Sequence, residues 1–314
     1  MLRVFCFIAL FFVASAQAEV RVLTSIKPLQ LIAAAVQDGV GEPEVLLPPG
    51  ASPHHYALRP SDVRRVREAD LLYWIGPDME AFLPRVLSSR DKPQVAVQEL
   101  PGMTLRHFGD SHDEHDHHEE GHDHQHAHAA DGLGHDHDHR PGSLDAHLWL
   151  AADNAKVIAA RMAADLAKLD AANAARYAAN LQAFEARLDA LDGRIRPQLA
   201  ALQGKPYFVF HEAFDYFEAA YGLKHAGVFS VLTEVQPGAR HVAAMRERLQ
   251  QTGPSCVFSE PPLRPRLAET LTAGLPVQLA ELDALGGTLP VNASGYEQLL
   301  ENLAAGLNEC LGSL

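Results

Sequence analysis

The chain has 314 residues, 47% of them hydrophobic and 7% aromatic, which suits about two globular domains with a sizeable core. A formal net charge of −14, with no basic run interleaved with aromatics, argues against nucleic acid as a partner. Ten of the carboxylates fall within residues 107–139, so the remainder of the chain is only mildly acidic.

The N-terminus reads as a secretory signal peptide over residues 1–18. Arg3 supplies the charged start, residues 4–13 are apolar, and Ala16-Gln17-Ala18 forms an A-x-A cleavage site, so cleavage is expected after Ala18. The apolar run is shorter than the roughly 20 residues that span a bilayer. Cys6 is lost with the peptide, which leaves Cys256 and Cys310 as an even pair in an oxidising compartment. A disulfide is the natural reading, with two buried free thiols as the alternative.

Past the leader, short β-branched runs alternate with amphipathic helical patterns, the rhythm of parallel βα units. Residues 19–170 are read as an N-terminal α/β lobe with strands at 21–25, 44–47, 71–75 and 94–98 and helices at 28–36, 60–68 and 79–89. Within it, residues 107–139 carry twelve of the 18 histidines and no Lys, Arg, Val, Ile or Trp. Such a stretch cannot build a core, and a disordered loop is expected. Its histidines His112, His115, His117, His118, His122, His124, His126, His128, His135, His137 and His139, set among carboxylates, suit a weak multidentate chelator of zinc, then of copper or nickel.

In residues 171–202, Tyr177, Leu181, Phe184, Leu188, Leu191, Ile195, Leu199 and Leu202 recur at spacings of three and four. They predict one amphipathic connecting helix of roughly 45 Å, with Pro197 a kink or an early end. Residues 203–314 repeat the α/β rhythm: strands at 207–210, 224–228, 256–259 and 276–280, helices at 213–221, 239–251, 264–272 and 296–311, and a capping box of Ser294 with Glu297. The expected fold is therefore α/β, with two lobes, each a mostly parallel four-stranded sheet with flanking helices, joined by one long helix.

Ligands of open α/β sheets bind beyond the carboxyl ends of the strands, and four candidate metal ligands fall there. His54 stands in a proline-rich turn, His147 just after the His-rich tract, His211 directly after a strand, and Asp283 after the last strand. Three imidazoles and one carboxylate, two from each half, suit a four-coordinate Zn²⁺ held between the lobes. His55 is the weaker choice at its turn, because adjacent side chains in extended backbone point apart.

At these residues the chain resembles the periplasmic metal-binding proteins of ABC importers, and within them the ZnuA type that binds zinc. The resemblance spans nearly the whole mature chain. It is carried by the segments Pro-Gly-Ala-Ser-Pro-His-His-Tyr-Ala-Leu-Arg-Pro-Ser-Asp (49–62), Trp-Ile-Gly-Pro-Asp-Met-Glu-Ala-Phe (74–82), Asp-Ala-His-Leu-Trp-Leu (145–150), Phe-Val-Phe-His-Glu-Ala (208–213) and Cys-Val-Phe-Ser-Glu-Pro (256–261). It implies His54, His147 and His211 as ligands, Asp283 as the family's C-lobe carboxylate, and a Cys256–Cys310 pair. Pro53 stands where some zinc members carry an acidic residue, which leaves Asp283 or a water to complete the shell.

The expectation is a monomeric, exported carrier, not an enzyme, that captures Zn²⁺ and delivers it to an inner-membrane ABC permease. Two alternatives stand beside it. A manganese carrier of the same family would prefer more oxygen ligands. A zinc hydrolase would need a general base by the metal-bound water, and neither HExxH nor G-x-S-x-G occurs.

Overall fold

The computed structural model describes residues 19–109, 142–230, 239–261 and 266–314. The expected signal peptide and the histidines from His112 to His139 lie outside the described residues. The first half runs β1 (Val22–Thr24), α1 (Lys27–Val36), β2 (Glu44–Val45), α2 (Pro60–Glu68), β3 (Leu71–Trp74), α3 (Pro84–Leu87) and β4 (Gln94–Ala96). A short ribbon of β5 (Arg106–His107) and β6 (Leu144–Asp145) follows, then the paired helices α4 (Ala152–Leu169) and α5 (Ala174–Ala200). The second half runs β7 (Tyr207–His211), α6 (Asp215–Tyr221), β8 (Gly227–Ser230), α7 (Ala239–Thr252), β9 (Ser255–Ser259), α8 (Arg266–Thr272), β10 (Val277–Glu281) and α9 (Gly295–Leu311).

Both halves build the same sheet. Strand order is β2-β1-β3-β4 in the first and β8-β7-β9-β10 in the second, every pair parallel. The order reverses between the first and third strands of each, which opens a crevice at their carboxyl ends. In the second sheet His211 closes β7 at that point and Glu260 follows β9 beside it. In the first sheet the equivalent crevice is filled by Glu80, which accepts the backbone N–H groups of Ile75 (3.3 Å) and Gly76 (3.0 Å).

Glu80 is fully buried, and burial pushes its carboxyl up from 4.5 to about 7 against the pull of Ser25 and of those N–H groups. Between these values the folded chain holds a proton that the unfolded chain has released. The contribution to stability is therefore complete below pH 4.5 and is lost as pH rises through 7, by about 3 kcal/mol. Glu80→Gln should abolish this component: urea midpoints at pH 5 and pH 8 should separate less in the variant than in the parent, and equal separations would refute the assignment.

One apolar core serves both sheets, running from Leu23 and Leu72 through Phe184 and Leu191 to Tyr207 and Phe258. α1 is buried along nearly its whole length, packed against α4, α5 and α9. α5 buries Tyr177, Phe184, Leu188, Leu191, Ile195 and Leu199, the stripe expected from the spacing, and continues through Pro197 to Ala200. Two polar groups fasten it to both halves. Asn180 donates to the carbonyls of Val36 and Asp38, each at 2.9 Å, satisfying the open end of α1. Arg187 pairs with Glu297 and donates to the Ala293 carbonyl at 2.5 Å, at the start of α9.

That pairing corrects the expected capping box. Glu297 is taken by Arg187, and the Ser294 hydroxyl turns to Asn292 at 3.2 Å, so no side chain caps α9. The helix expected at 79–89 shrinks to α3, because Glu80 is drawn into the crevice and Pro84 can only start a helix. The strand expected at 224–228 moves to β8; Gly227 passes against the Phe208 ring, where a Cβ would meet it at 3.1 Å. The ribbon of β5 and β6 was not anticipated, being two residues a side. It closes the base of the His-rich segment, with His107↔Leu144 in register and Gly142 N–H donating to Phe108 O at 2.8 Å.

Candidate metal centre

The loop that carries His54 is set by its neighbours. Gly50 takes φ +77° in the turn in which Ala51 N–H donates to Pro48 O at 3.1 Å, a conformation that glycine adopts without strain. Downstream, one oxygen of Asp62 accepts the Tyr56 hydroxyl (3.0 Å) and the Arg59 N–H (2.9 Å), and Pro60 opens α2 at a position where no N–H is needed. The Tyr56 ring then packs on Phe82 at 5.8 Å. The chain is thus pinned on both sides, with His54 turned inward at 7% exposure and His55 exposed.

His147 follows β6 and is 2% exposed; His211 ends β7 and is 3% exposed. Ring centroids lie 5.4 Å apart for His54 and His147, 5.4 Å for His54 and His211, and 4.9 Å for His147 and His211. One ligand nitrogen of each falls within 4.8 Å of the others. The three histidines that the sequence singled out are therefore brought together, two from the first half and one from the second. They open on a cavity of about 340 Å³ that Trp149, Glu260 and Asp283 also line.

Asp283 lies at the cavity wall but does not join the histidine group. Its Oδ1 accepts N–H groups from Leu285 (3.0 Å) and Gly286 (2.8 Å), and its Oδ2 accepts that of Gly287 (2.9 Å). A carboxylate so engaged organises the 283–287 turn.

Two carboxylates that sequence reasoning did not single out stand behind the imidazoles. His147 Nδ1 donates to Asp145 Oδ1 at 2.7 Å, and the same oxygen accepts the His147 backbone N–H at 2.9 Å. His211 Nδ1 donates to Glu260 Oε1 at 3.0 Å. An acceptor carboxylate fixes the proton on Nδ1 and turns Nε2 toward a metal, raising its basicity. Both residues sit inside segments already quoted, Asp-Ala-His and Ser-Glu-Pro. Only the Asp-x-His spacing offered a signal, since Glu260 reaches His211 across adjacent strands.

Burial lifts the Asp145 carboxyl well above its ordinary range, opposed by the His147 N–H. A cation bound at Nε2 would relieve that cost by adding positive charge next to a desolvated carboxylate. Asp145→Asn keeps the shape and removes the charge, so it should weaken the metal site about 10- to 100-fold with little loss of fold. Unchanged competition against a zinc chelator would remove Asp145 from this role.

The sequence family described as "Zinc-uptake complex component A periplasmic" matches residues 22–310. Among relatives, the high-affinity zinc uptake system protein ZnuA of Yersinia pestis is 42% identical over 296 residues, covering 94% of this chain and 92% of the relative. Its namesake in Brucella abortus (strain 2308) is 38% identical over 304 residues, covering 92% and 91%. Among solved structures, a crystal structure of ZnuA aligns with a TM-score of 0.71 at 21% identity, covering 92% of this chain and all of the other. The solute-binding protein FpvC of Pseudomonas aeruginosa, in complex with Mn²⁺, aligns with a TM-score of 0.71 at 21% identity, covering 95% and 100%. At such identities the structural matches speak for the fold.

Proposed function

Because the chain belongs to the ZnuA family of periplasmic zinc-uptake components, we propose that it captures Zn²⁺ on His54, His147 and His211 and passes the ion to an ABC permease in the inner membrane. The observation that carries this reading is the convergence of three buried imidazoles from both halves on one cavity. Nitrogen donors suit Zn²⁺ over Mn²⁺, which favours oxygen. The fourth position is left to Asp283, by release from its turn, or to water.

A carrier is preferred to a zinc hydrolase on the chemistry of the neighbours. Asp145 and Glu260 are each bound to one of the three imidazoles and Asp283 is held by three backbone N–H groups, so none of them is placed as a base for a metal-bound water. No helix among the described residues is long and apolar enough to cross a membrane. A cleaved leader over residues 1–18 is part of the proposal, as is an auxiliary, weaker role for the histidines of 107–139.

The test is competition between Zn²⁺ and Mn²⁺ for the apo-protein, with and without residues 112–139. One tight equivalent of zinc that excess Mn²⁺ does not displace is expected in both forms. Weak multiple binding should be confined to the full chain, and should fade near pH 6.5 as free imidazoles take up protons. Loss of the tight site on deletion would mean that the tract supplies a ligand to the cluster.

A further inference from the structure

The second sheet is left open along β10. This strand pairs with β9 and, among the described residues, with no other strand. Leu282 N–H donates to Ser259 O at 2.9 Å, so by the alternation of a parallel ladder Gln278 and Ala280 turn their backbone groups to β9. Val277 and Leu279 turn theirs outward. Edges of this kind are usually kept short, or blunted by Lys, Pro or a bulge. The outer strands of the first sheet, β2 and β4, are two and three residues long. β10 has five, in unbroken register with β9, and carries neither Lys nor Pro.

The helices on the two faces of the sheet do not close over this edge. α9 covers the face of Cys256 and Phe258, whose core Leu303, Leu307 and Cys310 share, and α8 covers the face of Val257 through Ala268 and Leu271. Between the two helices lies a cleft of about 400 Å³, which Gln278, Leu279, Ala280 and Glu281 line in succession. Exposure of one face would pick out alternate residues, so it is the edge that the cleft lays open. Leu279 is 44% exposed there, at the middle of the strand.

Charge decides what fits. Glu269 of α8, Glu281 of β10 and Glu309 of α9 line the cleft, and among the described residues that line it none is cationic. A second copy of the chain would set these carboxylates against their own kind, which opposes pairing of β10 with itself. We propose that an extended, basic segment of a partner protein adds to β10 as a fifth strand of the sheet. Its backbone takes up the outward groups of Val277 and Leu279. Its side chains alternate between the α8 face, where Leu279 offers apolar contact and Glu269 a carboxylate, and the α9 face, where Glu309 offers another. The cleft shares no lining residue with the cavity of the three histidines, so the segment can dock whether or not that cavity holds an ion.

The probe is a synthetic peptide of alternating lysine and valine with blocked ends, set beside one of alternating glutamate and valine. By fluorescence anisotropy on the mature chain at physiological salt, the lysine peptide should bind saturably and the glutamate peptide should not. Hydrogen exchange should slow at the Val277 and Leu279 amides. Leu279→Pro removes an outward donor and no ladder bond, and should weaken binding about tenfold. Glu269→Gln with Glu309→Gln touches no backbone and should weaken it at least as much. Zinc competition should be unchanged in both variants, which keeps failure here distinct from failure of the metal site. Absence of saturable binding overturns the proposal, as does equal binding of the glutamate peptide or protection confined to other strands. Binding that survives both variants also overturns it, and would place the peptide elsewhere, as on the acidic tract of 107–139. Should Leu279→Pro disturb zinc capture, the carboxylate pair decides alone, and unchanged binding there is fatal to the proposal.

Discussion

Replacing His211 by alanine is expected to abolish tight zinc capture while leaving the chain folded. Apparent binding energies of four-ligand zinc sites are about 10–16 kcal/mol, so loss of one ligand is worth about 3 kcal/mol or more, on the order of a 100-fold weakening. His54→Ala and His147→Ala should behave alike, since all three nitrogens fall within 4.8 Å of one another. His55→Ala should not, because His55 is exposed while His54 faces the cluster. Competition against a chelator of known zinc affinity reads the effect directly. A variant of the three that competes as well as the parent must be struck from the ligand set.

Loss of the Cys256–Cys310 bond should cost about as much, but in stability. The bond ties β9 to α9 across 54 residues of sequence, with both cysteines buried. In the chain-entropy view, a closed loop of this size contributes about 4 kcal/mol. For a chain of this length that is a fall on the order of 10 °C in the melting midpoint. The measurement is calorimetry of the mature protein beside Cys256→Ala/Cys310→Ala, which removes both thiols. Zinc competition should be unchanged in the cold, because the bond lies at the amino end of β9 and Glu260 at the other. Two reactive thiols in the unreduced, unfolded protein would contradict the pairing.

What could be read from the sequence divides along physical lines. The stripe from Tyr177 to Leu199 was legible because helical periodicity and a shared core impose the same spacing. The three histidines were legible because strand ends and proline-rich turns are where parallel sheets expose side chains. Glu80, Asp145 and Glu260 were not recognised for their roles: Glu260 reaches an imidazole across adjacent strands, and Glu80 and Asp145 meet nearby groups only through turns whose shape the tertiary fold sets. The capping box failed for a similar reason. Ser294 and Glu297 have the right spacing, but Arg187 from α5 outbids a local bond with a charge-assisted one. The ribbon of β5 and β6 is too short to announce itself, and its register is held by the Tyr216 hydroxyl, which accepts Arg106 N–H and donates to Asp145 O at 2.8 Å.

The larger apolar core, which reaches both sheets, bears on how an ion can leave. Swinging the halves apart would draw the Trp149 indole N–H from the Ala284 carbonyl (2.8 Å) and the Tyr296 hydroxyl from the Trp149 carbonyl (2.5 Å). It would also unseat α5 from one of its polar clamps, Asn180 on α1 or Arg187 at the start of α9. Each step breaks buried hydrogen bonds and uncovers packed apolar surface. The turn that bears His54 takes part in none of these links: it is pinned by the Ala51–Pro48 bond before it and by Asp62 after it. On the proposed ligand set, unloading would then begin at His54, within a frame that keeps its shape. A docking partner would have to grip that turn and peel it back, since prising open the whole body would undo its shared core.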